Sequence, residues 1–260
     1  MIHKVLVANW KANPRTHAEA ERLNAITTEA AKKYKSVGIV LCMPFPWLTD
    51  ISHKAKGPVR YGAQNMFWEN GGPYTGEVSP GMLKSSKVEY AIIGHSERRR
   101  LLGETDEMVN KKILAALRAG ITPIICVGET LAVHKKGAKA AEQFSKAQLV
   151  HALKGIPASL VRKYGLCVTH EPSWAISTST GTSKDNADTP ENAVRMIRIL
   201  RKMVVARFGT KRITMLYGGS VNSKNVREFL RYPEIEGVLV GGASIRPIEF
   251  VNMMKIASDL

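Results

Sequence analysis

Short apolar runs rich in Val, Ile and Leu recur along the chain, most of them ended by Gly, Pro or Asn. They predict strands over 2–9, 37–44, 59–65, 90–95, 122–128, 166–171, 213–218 and 237–241. Most are apolar at every position rather than at alternate ones, the pattern of strands covered on both faces in a parallel sheet. Between them the spacing of apolar residues changes to that of a helix. One helix is predicted from near Thr16 through Leu23, Ile26 and Tyr34, and another is capped by Thr105, carries Val109, Ile113 and Leu117, and stops at Gly120. A third has Thr189 as N-cap, Pro190 at its first position, Val194, Ile197 and Leu200 on one face, and Gly209 beyond its end.

Strand and helix alternate along the whole sequence with no linker, low-complexity tract or shift in composition. Eight such units in a chain of 260 residues is the arithmetic of a (β/α)8 barrel formed by one domain over 1–260. A doubly wound open sheet is the competing α/β arrangement.

In a barrel, reactive side chains belong where strands end and lead into the following loops. The predicted strand ends read Asn9-Trp10-Lys11, His95-Ser96-Glu97, His170-Glu171-Pro172, Gly218-Gly219-Ser220 and Gly241-Gly242. A cation, an imidazole and a carboxylate would then converge on one face. Each also has a structural reading: a solvated loop lysine, a histidine satisfied by nearby backbone, a glutamate that caps a turn. Three at the corresponding ends of separate strands favour chemistry. The glycine pairs in "YGGSV" and "VGGAS" free backbone N–H groups to approach an anion, and their place after strands seven and eight suggests a phosphorylated ligand.

The stretch "EPSWAISTSTGTS" at 171–183 turns small and hydroxylated after its first residues and is predicted as a loop. Composition adds less. The formal net charge is +16, but Lys and Arg are spread over nearly every predicted helix without a nucleic-acid-reading motif, so no specific nucleic acid is expected. A basic protein bound to nucleic acid or an anionic surface is the competing class. Three cysteines, each inside an apolar run, favour a reducing compartment. No apolar segment reaches membrane-spanning length and the N-terminus has no secretory pattern, so a soluble cytoplasmic protein without a membrane partner is expected. No cluster with metal-ligand spacing is evident.

Several segments together resemble the triosephosphate isomerase family: "ANWKAN", "QNMFWENGGPYTGEVSPGML", "IIGHSERR", "ICVGET", "EPSWAI", "YGGSV" and "VGGAS", in family order from about 7 to 250. The resemblance implies a TIM barrel and an aldose–ketose isomerase of glycolysis and gluconeogenesis that needs no metal or organic cofactor. Glu171 would be the base, His95 the hydrogen-bond donor to the carbonyl oxygen, and Lys11 a cation beside the substrate, with Asn9 next to it and Glu97 in its network. Ser177, Ser220, Gly241 and Gly242 would bind phosphate. The loop after Glu171 would be a lid, hinged at Pro172 and Trp174 and contacted by Tyr217. Its sequence departs from the family, with Ser177-Thr178-Ser179 in place of Gly-Thr-Gly and extra residues before "DTPE". Met66, Phe67 and Trp68 on a loop are expected to form a partner surface in preference to a local hydrophobic cluster, and the resemblance implies a homodimer in which Thr75 reaches the neighbour's site. Another phosphosugar-acting barrel is the competing enzyme reading.

Overall fold

The computed structural model describes residues 4–176 and 188–260. Eight parallel strands form a closed barrel in sequence order. They are β1 (Lys4–Asn9), β2 (Val37–Met43), β3 (Arg60–Ala63), β4 (Tyr90–Ile93), β5 (Thr122–Val127), β6 (Leu166–His170), β7 (Ile213–Tyr217) and β8 (Gly237–Val240). Pairing of Val5 with Gly237 through Ala8 with Val240 joins the last strand to the first, which excludes the open sheet. Helices surround it: α1 (His17–Lys33), α2 (Phe45–Lys54), α3 (Pro80–Ser85), α4 (Ser96–Leu102), α5 (Asp106–Arg118), α6 (Leu131–His134), α7 (Ala138–Leu153), α8 (Ala158–Tyr164), α9 (Pro190–Phe208), α10 (Val226–Leu230) and α11 (Pro247–Ser258).

The continuously apolar strands divide between two cores by the parity of their residues. Val7, Val40, Cys42, Ile92, Ile124, Cys126, Cys167, Leu216 and Leu239 fill the barrel interior. Their neighbours Leu6, Ile39, Leu41, Ile125, Val168, Met215 and Val238 face the helices. All three cysteines are buried free thiols, and burial pushes each of them up, Cys167 to about 12. Carried to the strand ends, the same parity turns Asn9, Glu171 and Gly241 inward and His170 outward.

The predicted helix signals hold in detail. The Thr16, Thr105 and Thr189 hydroxyls accept from the amides of Glu19, Met108 and Asn192, and Gly209 closes α9 with a φ of 58°. Apart from β1, which ends at Asn9 as predicted, the predicted strands are longer than the observed ones at their C-terminal ends. Pro44 starts the turn after β2, and β4 ends at Ile93 because Gly94 takes a φ of 77° and His95 becomes the N-cap of α4. The sheet therefore stops one or two residues before the polar groups, which project from its rim. Among the described residues no helix is long and apolar enough to cross a membrane.

Candidate active site

Lys11, His95 and Glu171 leave β1, β4 and β6 at the same rim. Lys11 holds an uncommon left-handed backbone, φ 55°. Its amide donates to Asn9 Oδ1 at 3.1 Å and its carbonyl accepts from Gln64 Nε2 at 2.9 Å. These bonds supply the outside support that such a conformation requires in a residue with a Cβ. The ammonium then lies 2.6 Å from Glu97 Oε1.

His95 is buried, with its Nδ1 accepting the Glu97 amide at 3.3 Å. A nitrogen that accepts has no proton, so the ring hydrogen sits on Nε2. That nitrogen faces Glu171 Oε1 at 3.3 Å. Capping of a short helix thus selects the tautomer that can donate into the site.

Glu171 is 2% exposed. Its Oε1 accepts from the Ser96 hydroxyl at 2.5 Å and the Ser96 amide at 3.2 Å, while Oε2 has no hydrogen bond. A buried carboxylate with one bare oxygen is held but not saturated, a state suited to accepting a proton. Gly128 permits this placement: a Cβ there would overlap the Glu171 carbonyl, and the Glu171 amide donates to Val127 O at 2.8 Å.

A cavity of about 480 Å³ opens beside these groups, lined by Asn9, Lys11, His95, Gly219, Ser220, Gly241, Gly242 and Arg246, with Gly241 so close to Lys11 that a Cβ there would meet its Cε at 3.2 Å. Gly241 and Gly242 lead into a short helical turn, Gly242–Ile245, whose first amides are available to an anion. Glu171 is not in the cavity wall, because Ser96 turns its carboxylate aside. The Ser220 amide donates to Ala175 O at 3.0 Å, a contact that competes with its expected role at a phosphate. Tyr217 is fully buried and stacked on Phe229 at 4.3 Å. Its hydroxyl lies directly beneath Gly219, where a Cβ would collide with it. Ser177 and the remainder of the expected lid to 183 lie outside the described residues.

Sequence reasoning missed the roles of Ser96 and Gln64, because a serine at a helix start and a glutamine after a strand have no distinguishing pattern until the fold sets them against Glu171 and Lys11. It also missed a buried group behind the segment that follows β6. Trp174 Nε1 donates to Glu129 Oε1 at 2.7 Å, and the Ser173 amide and hydroxyl both donate to Glu129 O at 3.1 Å. Burial works against the Glu129 charge, but the His170 imidazole and the Trp174 N–H outweigh it and hold the carboxyl at about 2.

The expectation that Met66, Phe67 and Trp68 form a partner surface needs correction. Met66 and Phe67 are buried within their own chain, and Phe67 packs on Trp68 at 4.1 Å and on Tyr74 at 4.7 Å. They are the loop's own small core, and its exposed tip is 69–77, which includes Thr75. On the surface the fold also gathers His17, Glu21 and Asp50, whose ligand atoms lie within 4.8 Å of one another. Lys54 pairs with both carboxylates of that group, so its charge is already offset.

Residues 4–257 match the family model described as triosephosphate isomerase. The chain is 43% identical over 256 residues to the triosephosphate isomerase of Dictyoglomus thermophilum, covering 98% of this chain and 100% of that one. With the enzyme of that name from Synechocystis sp. it shares 40% over 257 residues, covering 98% and 99%. The crystal structure of triosephosphate isomerase from Bartonella henselae superposes with a TM-score of 0.82 at 32% identity, covering 98% of this chain and 99% of that one.

Proposed function

Since the chain belongs to the triosephosphate isomerase family, we propose that it interconverts D-glyceraldehyde 3-phosphate and dihydroxyacetone phosphate with Glu171 as the base, His95 as the hydrogen-bond donor and Lys11 as the cation at the substrate oxygens. The observation that carries these roles is the convergence of the three side chains at one rim, beside a cavity whose lining includes two glycine turns.

The Glu171 carboxylate takes the proton from the carbon next to the carbonyl, and the C–H electron pair becomes the new C=C bond. The carbonyl oxygen receives the displaced pair as negative charge, where the His95 Nε2–H and the Lys11 ammonium stabilise it. Such preorganised donors act most strongly on the transition state, where charge is forming. Glu171 then returns the proton to the neighbouring carbon while the hydroxyl proton moves between the two oxygens. No group outside this chain is needed to balance the step. For Glu171 to reach the substrate, its carboxylate must turn away from Ser96.

The phosphate is assigned to Gly241, Gly242 and Ser220, with Ser177 added by the resemblance of its segment alone. Ser220 joins only if its amide exchanges the Ala175 carbonyl for the ligand. Lys11 and Arg246 both line the cavity and give it the positive potential that attracts an anion.

The homodimer is part of the same proposal. A second cavity, about 430 Å³, runs from Lys11 and Glu97 along Phe45, Pro46 and the exposed Leu101 and Leu102. The exposed tip 69–77 of a second copy is the occupant that this apolar recess suits, which would bring Thr75 to the neighbour's Lys11 region. A cytoplasmic enzyme forming one domain over 1–260 completes the reading. A coupled assay with purified protein and the two triose phosphates tests it, and folded protein with no isomerisation would overturn it.

A further inference from the structure

His170 is the residue immediately before the base, and the mechanism above gives it no task. It is 0% exposed and faces the helical layer rather than the barrel interior. Its Nε2 lies 3.5 Å from Glu129 Oε2, a close contact that stops short of a formed hydrogen bond. Neither ring nitrogen has a hydrogen-bond partner among the described residues.

Two carboxylates share this interior. Glu129 is 1% exposed and holds the segment after β6 through Trp174 and Ser173. Asp188, 9% exposed, is the first described residue before α9. Its Oδ1 accepts from the Thr189 amide and from Asn192 Nδ2, while Oδ2 has no partner. Burial pushes the Asp188 carboxyl up and the charge of His170 opposes that push. Tyr217 closes the third side, its ring 6.4 Å from the imidazole. His134, stacked on Trp174, also reaches Glu129 at 3.6 Å, but its side chain is 41% exposed. Two buried carboxylates cannot both keep their charge without a cation, and the buried group placed to supply one is His170.

We propose that His170 is a positioning residue for the isomerisation: as an imidazolium between Glu129 and Asp188, it ties the end of β5 to the start of α9 and so fixes the backbone from which Glu171 acts. The inference rests on Glu171 being the base. A neutral ring would leave Glu129 and Asp188 buried without a cation and loosen the backbone around the base, and a base displaced by a fraction of an ångström loses rate more than affinity.

The test combines two measurements on the full-length enzyme. In the parent protein carrying isotope-labelled histidine, nitrogen NMR should show both ring nitrogens of His170 protonated at neutral pH, with kcat falling as that proton is lost and KM changing less. His170→Gln, which keeps hydrogen bonding but cannot carry the charge, should lower kcat about tenfold and remove this limb from the pH profile. A ring that stays neutral wherever the enzyme is folded would overturn the proposal, as would a His170→Gln enzyme with the parental kcat and profile. If that variant does not fold, the parent's NMR titration set against its kcat profile decides. Glu171→Gln run alongside separates the two readings: retained turnover there removes the base assignment whatever His170 shows, whereas lost turnover with an unaffected His170→Gln removes only this inference.

Discussion

Glu171, His95 and Lys11 are each held by a different local device, and each device makes a different variant informative. Glu171→Gln keeps the shape and the bonds to Ser96 but cannot accept a proton, so kcat should fall by about 10²- to 10⁴-fold with binding of a phosphate-bearing analogue nearly unchanged. Steady-state kinetics with analogue titration checks this, and near-parental kcat would remove Glu171 from its role. His95→Gln loses the Nε2–H set by the Glu97 amide. Its kcat should drop by about 10²- to 10³-fold, and KM by far less, because that donor matters most when the oxygen is charged. An equal loss in binding would instead make His95 a ground-state contact.

At the scale of elements, the loops after β5 and β6 behave as one unit. Gly128 lets the Glu171 backbone pass, and Glu129 fastens Ser173 and Trp174. Gly128→Ala should cost about 1–3 kcal/mol, because the clash is with backbone rather than a flexible side chain. It should lower kcat as well, by displacing the base, so a chemical melt and an assay of the same sample check both effects. Glu129 predicts a direction with acid. Its folded value of about 2 lies below the usual carboxylate value, so its stabilisation is complete above about pH 5 and is lost as pH falls toward 2. Unfolding free energies measured across that window should decline in the parent, and Glu129→Gln should flatten part of the slope. An identical slope in the variant would show that other carboxylates control acid unfolding.

For the whole molecule, the proposed dimer would cover the exposed Leu101, Leu102 and Tyr74 and the recess that begins at Lys11. Light scattering should give twice the 28.6 kDa of the chain. Leu101→Glu combined with Leu102→Glu should produce monomers of lowered activity, since the recess reaches Glu97 and Lys11. A fully active monomer would separate the site from assembly.

The sequence by itself determined the alternation of strands and helices, the caps at Thr16, Thr105 and Thr189, and the convergence of Lys11, His95 and Glu171 at one rim, because periodicity, capping chemistry and strand direction are local properties that the chain writes residue by residue. It misplaced the ends of strands, where Gly94 and His95 exchange sheet pairing for a helix cap. It also assigned Phe67 and Trp68 to a partner, although their stacking lies within one loop. Only the tertiary structure decided that the sheet closes, that Ser96 holds Glu171, that Gln64 supports Lys11 and that His170 stands beside Glu129. Those contacts join residues tens of positions apart, and the sign of an interaction between a histidine and a carboxylate depends on burial and distance, which no spacing along the chain records.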